Sequence, residues 1–70
     1  MAEITIYTKP GCPYCAAALE DFERRNVRYR QIDVQHDLAA RETMRKLSGG
    51  LKVPTIVQPD GTVSVGFDGA

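Results

Sequence analysis

Neither sign of charge prevails in this chain: nine Lys and Arg residues face nine Asp and Glu among 70 residues. It therefore lacks the positive field that nonspecific contact with phosphate backbones or anionic lipid requires, which excludes nucleic acid and membrane surfaces as expected partners. No apolar run approaches membrane-spanning length, and Met1-Ala2-Glu3 leads directly into a strand-like segment without a basic, apolar leader. The expectation is a protein that stays in the cytoplasm where it is made. Repeats, linkers and low-complexity tracts are missing as well. A chain this short makes one domain, residues 1–70, with a thin stability margin.

Cysteine is scarce too, with two residues in all. A secreted disulfide scaffold carries more, at wider separation. Cys12 and Cys15 enclose so short a loop that a bridge between them would constrain the unfolded chain little. That spacing favours chemistry or metal over stapling. A structural zinc site takes four ligands, whereas the chain offers besides the two cysteines one histidine, His36, an expected exposed residue ahead of a helix. A metal or iron-sulfur site would have to borrow ligands from a second subunit or from glutathione. No metal ligand set is assigned within the chain.

What is present is a pattern of alternating strands and helices. Ile4-Thr5-Ile6-Tyr7-Thr8 alternates with a strand's period of two, Ile4 and Ile6 on one face and Thr5 and Tyr7 on the other. Lys9-Pro10-Gly11 breaks it. Cys15, Ala18, Leu19 and Phe22 then recur at helical spacing, Pro13 fits the first turn, and Asn26 suits a left-handed stop. Residues 27–34 read as a second strand. Asp37 suits the cap of a second helix carrying Ala40, Met44 and Leu47 on its apolar stripe and ending at Gly49-Gly50. Residues 55–58 and 62–67 form a hairpin around Pro59-Asp60-Gly61, with Val63, Val65 and Phe67 on one buried face. A parallel β-α-β unit plus an antiparallel hairpin assemble into one mixed sheet covered by helices, an α/β fold.

The chemistry falls where the first strand meets the first helix. Cys12 stands at the helix start, where unpaired N–H groups and the positive end of the helix dipole favour an anion, with Lys9 nearby. It is the expected nucleophile. Cys15, one turn on and on the apolar stripe, is the expected resolving thiol, more buried and more reluctant to ionise.

A strand, Cys12-Pro13-Tyr14-Cys15 opening a helix, a second β-α unit, and Val53-Pro54-Thr55 before a hairpin together resemble the glutaredoxin family over nearly the whole chain. The resemblance implies a thioredoxin-like fold with a four-stranded sheet in the order 2-1-3-4. It implies reduction of protein disulfides and glutathione mixed disulfides, with no bound cofactor and glutathione as co-substrate. By position, Cys12 and Cys15 would be catalytic, and Lys9 and Tyr14 would contact glutathione. Val53-Pro54 would be a cis peptide offering Val53's backbone to the substrate.

Two departures stand out. The family's Gly-Gly pair with a following acid, which holds the γ-glutamyl end of glutathione, is matched only in part by Gly66 and Asp68. The Gly66-Phe67 pairing is similar to glutaredoxin-like redoxins that serve ribonucleotide reductase, some of which are reduced by thioredoxin reductase. The C-terminal helix of the family is missing or truncated, which would leave an apolar face for a second copy or a partner protein to cover. The alternative function within the resemblance is an iron-sulfur carrier built on Cys12 of two subunits and glutathione. Pro13 argues against it, because cluster-binding members have a smaller residue at that place.

Overall fold

The computed structural model describes residues 3–67. The elements are β1 (Ile4–Thr8), α1 (Pro13–Arg24), β2 (Tyr29–Asp33), α2 (Leu38–Ser48), β3 (Thr55–Val57) and β4 (Val63–Val65). They form one sheet in the order β2-β1-β3-β4. β1 runs parallel to β2 and antiparallel to β3, and β3 runs antiparallel to β4. This is the mixed 2-1-3-4 sheet of the thioredoxin-like fold.

β1 is interior to the sheet, so both of its faces must be covered, and its alternation divides the core in two. Ile4 and Ile6 meet Ala18 and Phe22 of α1 together with Ile56. On the opposite face Tyr7 meets Met44 of α2, Val34, Val53 and Cys15. Register enforces the division, because Ile6 lies opposite Gln31 on one side and Ile56 on the other.

Each helix begins and ends on its own local chemistry. Asp37 Oδ1 accepts the Ala40 N–H at 3.0 Å, and Gly49 closes α2 at φ 79°. α1 has Pro13 at its first position, where a missing N–H costs nothing. Asn26, at φ 56°, turns the chain out of α1 toward β2.

Several expectations need correction. β2 is shorter than residues 27–34. Val27 and Val34 lie outside the ladder and instead pack into the two clusters, one on each side of the sheet. Leu47 is half exposed and joins neither core cluster, and the one fully buried residue of α2 is Met44. Val63, Val65 and Phe67 do not share a buried face. β4 ends at Val65, which is exposed, and Gly66 at φ 87° reverses the alternation, so that Phe67 packs against the Ile4–Ile56 cluster. That packing bears on the apolar face expected where a C-terminal helix would lie. Ile56 there is only 5% exposed, and its cross-strand neighbour is the polar Ser64. Leu19, Val27, Tyr29 and Phe67, each partly buried, surround that cluster. The exposed leucines lie elsewhere, at Leu38, Leu47 and Leu51.

Candidate active site

Gly11 makes the site possible. Its φ of 77° turns the chain sharply between the end of β1 and the start of α1, a backbone state that side chains with a Cβ rarely adopt. Cys12 follows as the N-cap residue of α1. Its backbone is extended, its carbonyl accepts the Ala16 N–H at 3.1 Å, and its Sγ accepts the Cys15 N–H at 3.2 Å. A sulfur thus takes the place of the usual capping oxygen. The first turn of α1 contains no acidic residue, so no carboxylate competes with the sulfur for the helix's positive end.

The two sulfurs differ in setting. Cys12 is partly buried, packed against the cluster of Tyr7, Cys15, Val34, Met44 and Val53. Cys15 is only 3% exposed. Burial pushes the Cys15 thiol up from 9.0 to about 11, helped by its hydrogen bond to Cys12 and, less, by the Cys12 charge, while the Lys9 backbone and charge pull the other way. Both are free thiols.

Stability should respond to this shift. An unfolded chain would ionise Cys15 from about pH 9, whereas the folded chain holds its proton until about pH 11. The folded state therefore keeps the full contribution below pH 9 and loses it as pH rises through that window. Urea titrations of the reduced protein from pH 8 to 11 should show a steeper loss of stability than those of Cys15→Ser. Parallel curves would contradict the shift.

Two clefts share Lys9 in their lining, and Cys12 lines the larger of them. The larger, of about 580 Å³, lies on the α1 side and reaches both sulfurs, with Thr8, Gln31 and Asp33 on its wall. The smaller, of about 310 Å³, lies on the α2 side and is lined by Val53, Leu38, Arg41 and Leu51 among others. Val53-Pro54 is cis, as the resemblance implied. The loop carrying it is closed by Thr55, whose hydroxyl donates to the Lys52 carbonyl at 2.8 Å, and by Gly66, whose N–H donates to the Pro54 carbonyl at 2.8 Å.

Of the residues expected at the site, Cys12, Cys15, Lys9 and Val53 come together around the clefts, and Pro54 and Gly66 are joined by their backbone bond. Tyr14 is half exposed on the first turn of α1 and lines neither cleft. Asp68 lies outside the described residues. His36 is exposed and pairs with Asp33 at 2.6 Å, a contact that holds the Asp33 carboxyl below its usual range. Among the described residues, no group of three or more His, Cys, Asp or Glu side chains is placed to hold a metal ion. None of the described helices is long and apolar enough to cross a membrane.

Thr8, Gln31 and Asp33 were not singled out from the sequence. Alternation along β1 does put Thr8 on the Ile4–Ile6 face, and the parallel register then sets Asp33 beside it. Gln31 Nε2 donates to Thr8 Oγ1 at 3.2 Å. That register was not legible before the sheet was known.

A thioredoxin-like fold with a Cys-x-x-Cys pair at the start of its first helix defines a class, the thiol-disulfide oxidoreductases. Comparison with known proteins narrows it. The Glutaredoxin family model matches residues 4–63. The chain is 37% identical over 67 residues to an uncharacterized glutaredoxin-like 8.6 kDa protein in the rubredoxin operon of Clostridium pasteurianum, covering 96% of this chain and 88% of that one. It is 39% identical over 56 residues to glutaredoxin 3 of Escherichia coli, covering 80% and 68%. The crystal structure of the thioredoxin-like protein BC3987 superposes with a TM-score of 0.86 at 38% identity, covering 94% of this chain and 89% of the other. The chain belongs to the glutaredoxin family.

Proposed function

We propose that this chain reduces protein disulfides and glutathione mixed disulfides in the cytoplasm through the dithiol pair Cys12 and Cys15, with glutathione as co-substrate and no bound cofactor. The observation that carries the reading is the 3.2 Å bond from the Cys15 N–H to Cys12 Sγ at the helix start, with Cys12 at the cleft wall and Cys15 buried beneath it. The Cys12 thiolate attacks one sulfur of the substrate disulfide, forming a mixed disulfide and expelling the other sulfur as a thiolate. Cys15 then gives up its proton and attacks Cys12 Sγ. The Cys12–Cys15 disulfide forms, the second substrate thiolate leaves, and the substrate has gained two electrons. Two glutathione thiols restore the dithiol, leaving as glutathione disulfide.

The shift at Cys15 suits this order. In the free enzyme burial, the hydrogen bond and the Cys12 charge keep Cys15 protonated. Once Cys12 is bonded to substrate, the last two influences disappear and the thiol is easier to ionise. Lys9, Tyr14, the backbone of Val53 and Pro54, Gly66 and Asp68 are the proposed glutathione contacts.

The test is Cys15→Ser. Protein substrates should accumulate as mixed disulfides on Cys12, visible as a mass increase that dithiothreitol reverses, and their turnover should fall by about tenfold or more. Reduction of a glutathionylated peptide, which needs Cys12 alone, should persist. Undiminished turnover of protein disulfides by Cys15→Ser would overturn the assignment.

A further inference from the structure

β2 lies at the rim of the sheet, with β1 on one side and no strand on the other among the described residues. Its inner groups are fixed by the parallel ladder. The Arg28 carbonyl accepts the Ile4 N–H at 3.1 Å, and the Val34 N–H donates to the Thr8 carbonyl at 2.9 Å. In such a ladder alternate residues turn their backbone groups the same way, so Arg28, Arg30, Ile32 and Val34 face β1. Tyr29 and Gln31 then turn their N–H and carbonyl groups outward, where no described residue bonds them. Unpaired backbone groups on a rim strand are a template for one more strand.

The side chains of β2 decide which strand fits. Arg28 and Arg30 share the face on which Ile32 packs toward Tyr7. Both are exposed, and neither takes part in the ion pairs among the described residues. Two copies joined edge to edge would set arginines against arginines on that face, which is destabilising. On the other face Tyr29 stands beside Phe22, with ring centroids 5.8 Å apart, and Leu19 is only partly buried, so apolar side chains fit there. The complementary guest alternates acidic residues with β-branched apolar ones.

We infer that the outer edge of β2 docks an extended acidic segment of a partner protein, which joins the sheet as a further strand with its carboxylates over Arg28 and Arg30. Gln31 and Asp33, toward the end of β2, belong to the wall of the cleft that Cys12 lines, so a partner seated on this edge is held beside the sulfur. The docking depends on backbone pairing and charge. It goes beyond the redox reading and does not rest on it.

Hydrogen exchange at single amides of the reduced full chain, followed by NMR, tests this. The probe is an end-blocked peptide of sequence Thr-Glu-Val-Glu-Val-Glu-Thr. At a concentration about ten times its dissociation constant it should slow exchange of the Tyr29 and Gln31 amides by about tenfold. The Arg30 and Ile32 amides, which face β1, should change little. The same peptide with Lys in place of Glu should protect neither outward amide, and nor should the acidic peptide N-methylated along its backbone. Arg28→Glu combined with Arg30→Glu should transfer the protection from the acidic peptide to the Lys peptide. Cys12→Ser should bind the acidic peptide as the parent does, which separates this result from the thiol chemistry. Equal protection by the Lys peptide or by the N-methylated peptide would overturn the inference. Protection that grows with protein concentration alone would make a second copy the occupant and overturn it too. No protection at all would leave the arginines as charges that only keep the edge in water, and the inference would fail.

Discussion

Cys12→Ser should lower disulfide turnover by on the order of 10³-fold or more, to the background of the uncatalysed exchange. A hydroxyl does not ionise near neutral pH and cannot form the mixed disulfide through which electrons pass. Cys15 cannot substitute, since it is 3% exposed and its thiol is held up at about 11. Serine is moreover a favoured N-cap, so the replacement keeps an acceptor for the Cys15 N–H and should leave α1 intact. The expected result is an inactive protein with an unchanged circular dichroism spectrum and a melting temperature close to that of the parent. Residual activity above a few per cent (roughly, by the same scale) would place the nucleophile elsewhere.

Ile6→Ala should be the most damaging change away from the sulfurs. Ile6 is fully buried, on a strand that has neighbours on both sides, between Gln31 and Ile56 and beneath Ala18 and Phe22. Truncation of such a side chain costs about 2–5 kcal/mol, because the transfer free energy is lost and the cavity left behind does not fully collapse. A single core in a chain below about 70–80 residues rarely supplies more than about 3–5 kcal/mol in total. The loss is therefore comparable to the whole margin. Urea denaturation should show the midpoint falling toward zero, or no cooperative transition at all at 25 °C. A decrease in midpoint corresponding to less than about 1 kcal/mol would mean that the site collapses around the smaller side chain.

The parts of the fold that depend on local chemistry were legible in the sequence. Alternation in Ile4–Thr8, the spacing of Cys15, Ala18 and Phe22, the Asp37 cap and the Gly49 stop all appear where the residue types demand them. So does the cysteine pair at the helix start, because N-cap position and helical spacing are fixed within one turn of chain. The sheet order and the cis state of Val53-Pro54 came from resemblance, not from propensity. What was not legible depended on long-range placement or on a single dihedral. Gly66 in a left-handed conformation sends Phe67 across the sheet, and no periodicity signals that. The walls of both clefts are likewise assembled from residues far apart in sequence, such as Leu38 and Leu51 with Lys9, or Gln31 with Thr8.

One atom, Cys12 Sγ, both closes the start of α1 and stands where the chemistry begins. Whenever that sulfur shares its electrons with a bonding partner, it becomes a poorer acceptor for the amide one turn away. The backbone N–H of residue 15 is accordingly a reporter of the bonding state of that sulfur.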